Sequence, residues 1–309
     1  MSFPEFRLYI LNSPQLTSDI DANIFWTLSI CPKIMKCASI IADPHFVSFN
    51  GLPWSWHGGC DVVLSRSDDL GIEVVIRTTR VEDEKIGAFS FISGVAAKLG
   101  TDILEVTDDG SIIINGEDKI LVANTNSTSP GISFSTFQLA KSLKGTNNRI
   151  IVYDLDLGEG RAIEIRANTK SGMLFVDMKG NYPHGEGLLG STGSNALFGR
   201  DGITDFSVTN DFNSFAEDWQ RLGTEEKLFQ DDRYPQHPAG CVYDAGLMNG
   251  NKRVSQLRHR RLTDDGDIVS INDAENACSH VADVKKRKFC VADVLALADV
   301  DLAEDPFYH

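Results

Sequence analysis

The chain has 309 residues, 42% of them apolar and 24% charged, and carries a formal net charge of −15. That length suits one large or two ordinary domains. The acidic balance argues against a nucleic-acid partner or an anionic-membrane surface, since both need clustered cations to neutralise phosphate. No apolar run reaches the ~20 residues of a membrane helix, so membrane insertion is not expected.

Residues 1–36 read as a poorly ordered lead-in. Glu5, Arg7 and a broken apolar run make this opening unlike a secretory signal. Residues 37–241 read as one β-rich domain. It opens with the turn Ala42-Asp43-Pro44-His45, followed by Phe46, Phe49 and a second turn at Asn50-Gly51. Pro fixes φ and Asn-Gly tolerates positive φ, so both are turn signals. Trp54 and Trp56 are two apart and share one face of a strand. A Gly58-Gly59-Cys60 corner leads into the apolar strand Val62-Val63-Leu64.

Alternation over 72–77 marks a half-buried strand, and Phe89–Lys98 a second. Ile103–Val106 and Ser111–Ile114 flank Asp108-Asp109-Gly110, a hairpin signal. Further strands are expected at 119–123, 132–138, 149–154, 161–167 and 172–178. Many short strands with a turn every ten residues or so mean a sandwich or barrel. Residues 242–270 read as a polar linker whose Arg258-His259-Arg260-Arg261 patch is solvated. Residues 271–309 read as a helical tail. Asn272 or Asp273 would cap a short helix through Cys278 and Val281. A second helix, from about Val284 to Ala303, would put Val291, Val294, Leu295, Ala298 and Leu302 on one stripe.

The six cysteines are Cys31, Cys37, Cys60, Cys241, Cys278 and Cys290. They cluster at the two ends and lack metal-ligand spacing. A disulfide drawing the ends together is expected in an oxidising compartment, and Cys278 with Cys290 would join the two tail helices.

In order and spacing, Asp43-Pro44-His45-Phe46, Ser48-Phe49-Asn50-Gly51 and Gly59-Cys60-Asp61-Val62-Val63-Leu64 resemble the opening of a von Willebrand factor type D domain. Val95–Gly100, Ile103-Leu104-Glu105 and Ile114-Asn115-Gly116 are similar to that family's central strands. Gly187-Leu188-Leu189-Gly190-Ser191, Arg200-Asp201-Gly202 and Phe215-Ala216-Glu217-Asp218-Trp219 are similar to its second signature. Two departures stand out: Leu189 replaces the family's cysteine and Ser191 its asparagine. The resemblance implies a mainly β, two-sheet antiparallel β-sandwich with a short C-terminal helical segment.

It also implies a Cys60–Cys241 bridge, worth ~4–5 kcal/mol in the chain-entropy model. With Leu189 in place of the usual partner, Cys37 would be unpaired or joined to Cys31. The family's calcium site maps onto Asn50, Ser191 and Asp201, with Asp205 or carbonyls near Asn195 added. Loss of charge at Asn50, where the family has Asp, and of reach at Ser191 lowers the expected affinity for Ca2+. The alternative is a neutral, hydrogen-bonded loop that keeps the turn without metal.

The function implied is a non-enzymatic extracellular adhesion or matrix module, secreted or at the cell surface, presenting a rigid surface to a protein or glycan. Cys31 or Cys37 offers a route to disulfide-linked self-association. Asn126-Ser127-Thr128 is a glycosylation sequon. His57 beside Cys60 invites comparison with a Cys–His nucleophile, but Cys60 matches a bridging cysteine. Asp43 and His45 read as structural turn residues. No nucleophile elbow, phosphate loop or dinucleotide fingerprint is present in the sequence. The alternatives are an enzyme with its site between β domain and helical tail, and a fragment of a larger multidomain secreted protein.

Overall fold

The computed structural model describes residues 36–41, 44–83, 87–121, 132–144, 149–230, 269–282 and 284–297, with Val300 and Ala303. Among the described residues, fourteen strands form two antiparallel sheets. In chain order they are β1 (Cys37–Ile41), β2 (His45–Val47), β3 (Pro53–Ser55), β4 (Asp61–Ser67), β5 (Ile72–Asp83), β6 (Gly87–Leu99) and β7 (Asp102–Thr107). There follow β8 (Ile112–Ile114), β9 (Glu117–Lys119), β10 (Ile132–Ser133), β11 (Gln138–Lys144), β12 (Ile150–Gly158), β13 (Arg161–Asn168) and β14 (Met173–Lys179). One sheet has the order β10-β11-β12-β13-β14-β1-β2-β3 and the other β4-β5-β6-β7-β8-β9. Each neighbour is the next strand in sequence, except that β14 returns to pair with β1. The mainly β, two-sheet sandwich expected from the sequence is the observed fold.

The alternation that predicts the strands also builds the core. Ile163, Ile165 and Ala167 of β13 and Leu174, Val176 and Met178 of β14 point inward, against Val62, Val74, Ile76, Val95 and Leu104 of the other sheet. The chain crosses between sheets at the corner after β3. Trp54 and Trp56 are both buried, and Trp54 stacks on Phe46 with centroids 3.9 Å apart. A Cβ on Gly58 would lie 1.9 Å from the Trp56 ring, so only glycine lets the corner close over that indole.

Three details differ from the sequence reading. The expected strand over 132–138 is split between β10 and β11, because Phe134 and Phe137 stack at 4.4 Å across a tight turn closed by Phe134 N–H to the Phe137 carbonyl. The strand expected over 119–123 begins earlier, as the exposed edge strand β9. In the tail, Ser270 rather than Asn272 or Asp273 is the N-cap. Asp273 sits three residues on and returns the bond to the Ser270 N–H, completing a capping box.

After β14 come two short helices, α1 (Phe206–Thr209) and α2 (Phe212–Asp218), and the tail comprises helix α3 (Ile271–Ala277), a 3-10 turn (Cys278–His280) and helix α4 (Val284–Leu297). Cys278 and Cys290 are bonded, as expected, and join the two helices. Of the predicted stripe, Val294 is buried and Val291 partly so. Met173 and Phe175, the alternate residues of β14, face away from the sandwich core and pack with Ala274, Cys278, Val281, Cys290 and Val294. The tail therefore covers part of the outer face of the eight-stranded sheet.

Candidate functional site

The chain after β14 returns across the sandwich as a long strap. Leu188 and Leu189 N–H groups donate to the carbonyls of Val63 and Leu64, and Arg66 and Glu186 exchange both backbone bonds. Further along, Val63 N–H donates to the Trp219 carbonyl and Arg221 N–H to the Asp61 carbonyl. The strap thus covers the open edge of β4. Between these two contacts it forms a small lobe carrying helices α1 (Phe206–Thr209) and α2 (Phe212–Asp218). Trp219 anchors that lobe: its ring is buried, its Nε1–H donates to the Phe198 carbonyl at 3.0 Å, and the Arg200 guanidinium lies over it at 5.1 Å.

The residues expected to bind calcium sit on this lobe and on the turn it touches. Phe49 N–H donates to the Leu189 carbonyl, which brings the Asn50 turn to the strap. The Asn50 side chain spans the gap. Its Nδ2 donates to the Asn195 carbonyl, while its Oδ1 accepts from the Ser48 hydroxyl and from Leu52 N–H. Ser191 Oγ accepts from Gly193 N–H. Asp201 closes its own turn, with Oδ1 accepting from the Ile203 and Thr204 amides and Oδ2 from the Thr204 hydroxyl. Those bonds, led by the hydroxyl, hold its pKa below the usual carboxylate value. Asp205 caps α1, its Oδ1 accepting from the Ser207 hydroxyl and amide and from Leu197 N–H; the Ser207 hydroxyl leads in lowering its pKa.

This arrangement does not fit a calcium ion, which takes six to eight oxygen ligands. The Asn50 side chain meets the Asn195 carbonyl with its amide N–H, which cannot ligate a cation. Among the described residues, no three His, Cys, Asp or Glu side chains are grouped so as to hold a metal. Leu189 is fully buried in the core.

The strap is fixed to the β4–β5 edge by alternating charges that the sequence reading did not single out. Arg66 contacts Glu73 at 2.8 Å, Glu225 at 2.6 Å and Glu186 at 3.6 Å. Arg200 reaches Glu225 at 3.0 Å, and Arg221 bonds Glu73. Burial pushes the Glu225 carboxyl up, but bonds from Arg200, the Leu222 amide and Arg66 outweigh it and bring it down to about 2. Arg66 and Glu225 lie 159 residues apart in sequence, and Arg221 and Glu73 148, so no local pattern could have paired them.

A second constellation lies where the tail meets the sheet. His45 and Ser55 are direct cross-strand partners on β2 and β3, with Nδ1 and Oγ 2.7 Å apart. His45 Nε2 faces Asp293 Oδ1 of α4 at 3.8 Å, and Asp293 is completely buried. His57 meets His45 edge-on, with centroids 6.5 Å apart. The sequence reading named His45 only as a structural residue of the opening turn, and Asp293 not at all.

A cleft of about 730 Å³ opens beside the Asp108-Asp109-Gly110 hairpin, bounded also by Lys141, Tyr153 and Phe229. Its wall is rigid: the Tyr153 hydroxyl donates to the Gly110 carbonyl at 2.7 Å, and burial, with the nearby Asp109 charge, pushes it up to about 12.

Cys37 is disulfide-bonded and not unpaired. Cys37, Cys60, Cys278 and Cys290, the four cysteines among the described residues, are all in disulfides. Cys31, Cys241, Asp43 and Asn126 lie outside the described residues. No family model matches the chain, and no curated protein matches it.

Proposed function

We propose that the chain is a non-enzymatic, secreted or cell-surface module of the von Willebrand factor type D kind, which presents a rigid surface to a protein or glycan partner. The observation that carries this is the disulfide state. Cysteines at the start of β1, at the corner before β4, just after α3 and in α4 are all oxidised, a pattern that oxidising compartments maintain and reducing ones do not. The strap and tail add to it by covering one sheet edge and part of one sheet face.

The test is saturable binding of the oxidised full chain to a panel of extracellular-matrix proteins and glycans, repeated after reduction. Binding that reduction abolishes supports the module. A panel with no binder sinks it. In this reading calcium has no part, because the Asn50 amide already joins the two loops. A thermal melt of the wild type should therefore coincide in millimolar calcium and in chelator. A calcium-dependent rise in midpoint would mean that the native state binds the ion after all.

A second reading, an enzyme with its site between the sandwich and the tail, draws on Ser55, His45 and Asp293. A hydroxyl, an imidazole and a buried carboxylate in that order form the arrangement that activates a serine nucleophile. A fluorophosphonate probe that labels the wild type but not Ser55→Ala would favour it over the binding module.

A further inference from the structure

We propose that Asp154 and Glu164, neighbours on the outer face of the eight-stranded sheet, share a single proton and make that face respond to mild acidity. The placement follows from register. Tyr153 and Leu155 of β12 and Ile163 and Ile165 of β13 fill the core, so Asp154 and Glu164, which alternate with them, face the other way. The two are directly opposite across the β12–β13 pair, and Glu164 is in turn opposite Asp177 of β14. Directly paired residues hold their Cβ atoms about 4.5–5.5 Å apart. Three carboxyl groups therefore stand in a row on adjacent strands.

The cations around them are unevenly distributed. Arg166 lies 3.4 Å from Glu164 and 3.0 Å from Asp177, and is itself 1% exposed. Lys144 of β11 reaches Glu164 at 4.0 Å. Among the described residues no cation comes within 4.0 Å of Asp154; Lys144 and Lys179 act on it only from further off. On β11 its direct neighbour is the neutral Ala140, and on its own strand the next residue on that face is Asp156. Asp154 is thus a partly buried acid beside a carboxylate that takes the nearer cations. Two such groups cannot both ionise cheaply, so the proton stays on the one with the poorer partners and is donated to the other.

The electrostatic directions agree. Burial, then the Glu164 charge, raises Asp154 to about 6. For Glu164, burial acts upward, but Arg166, Lys144 and Lys179 outweigh it and lower the group. The sign for stability is set by Asp154. Its folded state holds a proton that the unfolded chain releases near the ordinary carboxylate value, so stability falls as pH rises through the interval between the two.

The test is a carbon-detected NMR titration of the side-chain carboxyls in the full oxidised chain, with thermal melts over the same pH range. The wild type should show one carboxyl with a midpoint well above pH 5. Asp154→Asn should abolish that titration. It should also flatten the fall in melting midpoint between pH 4 and pH 7 relative to the wild type. Glu164→Gln, which removes the neighbouring charge, should bring the Asp154 midpoint down. If every carboxyl of the wild type titrates below pH 5, or if the high titration survives in Asp154→Asn, the proposal is overturned. None of these readouts depends on what the module binds.

Discussion

The strap and the tail both close over the sandwich, but by different physics. The strap is bonded to β4 through main-chain groups at both ends of its span, at Glu186–Leu189 and at Trp219–Arg221, with arginines and glutamates interleaved beside them. Among the described residues, the backbone hydrogen bonds of the tail stay within the tail. It meets the sheet through an apolar cluster and the His45–Asp293 contact, and its own two helices are tied by Cys278–Cys290. Main-chain pairing sets a register that tolerates little movement. Side-chain packing alone fixes an element less tightly, and its local opening costs less than global unfolding. The strap should therefore unfold with the sandwich, whereas the tail should open before it.

The sharpest way to break this comparison is Trp219→Ala. It removes the largest fully buried side chain among the described residues, its bond to the Phe198 carbonyl and the seat of Arg200. Loss of a buried Trp in such a site costs about 3–5 kcal/mol, and urea unfolding should show that loss in a single transition shared by strap and sheets. A separate, earlier transition would mean that the strap is an independent unit. Cutting the tail disulfide with Cys278→Ser should act more locally. A bridge over a loop this short is worth about 3 kcal/mol at most. Hydrogen exchange should speed up in α3 and α4 while β12–β14 stay protected. Equal loss of protection in the sheet would abolish the distinction between the two regions.

The smallest effect is expected from acid. Glu225 has its carboxyl brought down from the ordinary 4.5 to about 2, so it stabilises the fold above pH 4.5, and that contribution is lost as pH falls through 2. The side chain keeps 16% of its surface exposed, and an ion-pair network at a sheet edge is worth about 1 kcal/mol. The advantage of wild type over Glu225→Gln, measured by denaturant melts, should be constant above pH 5 and shrink steadily below 4. A difference that does not change with pH would assign the role of Glu225 to packing.

The sandwich was legible because its determinants are local. Alternation at 72–77 and 161–167 and the Asp109-Gly110 and Asn115-Gly116 turns each announce themselves within a few residues. The split at Phe134 and Phe137 was not, since ring stacking across a turn looks like continuous β-propensity in one dimension. The N-cap of α3 is displaced from its expected place for a related reason: Ser270, Asn272 and Asp273 are all good caps, and only geometry chooses. The candidate sites were legible in their parts but not in their relations. Asn50, Ser191, Asp201 and Asp205 could be named in advance, yet whether each side chain reaches outward to a ligand or back to its own turn is decided by loop closure. His45 and Asp293, like Arg66 and Glu225, meet only once the fold has formed.

One consequence concerns synthesis on the ribosome. β1 lies inside its sheet, between β2 and β14, with Cys37 paired to Lys179. Until residues 173–179 leave the exit tunnel, the outer edge of the β1–β3 meander has no neighbour. Of the described strands, β1–β3 must wait for β14, so this sheet is sealed late, after the six-stranded sheet has been able to form from its sequential hairpins.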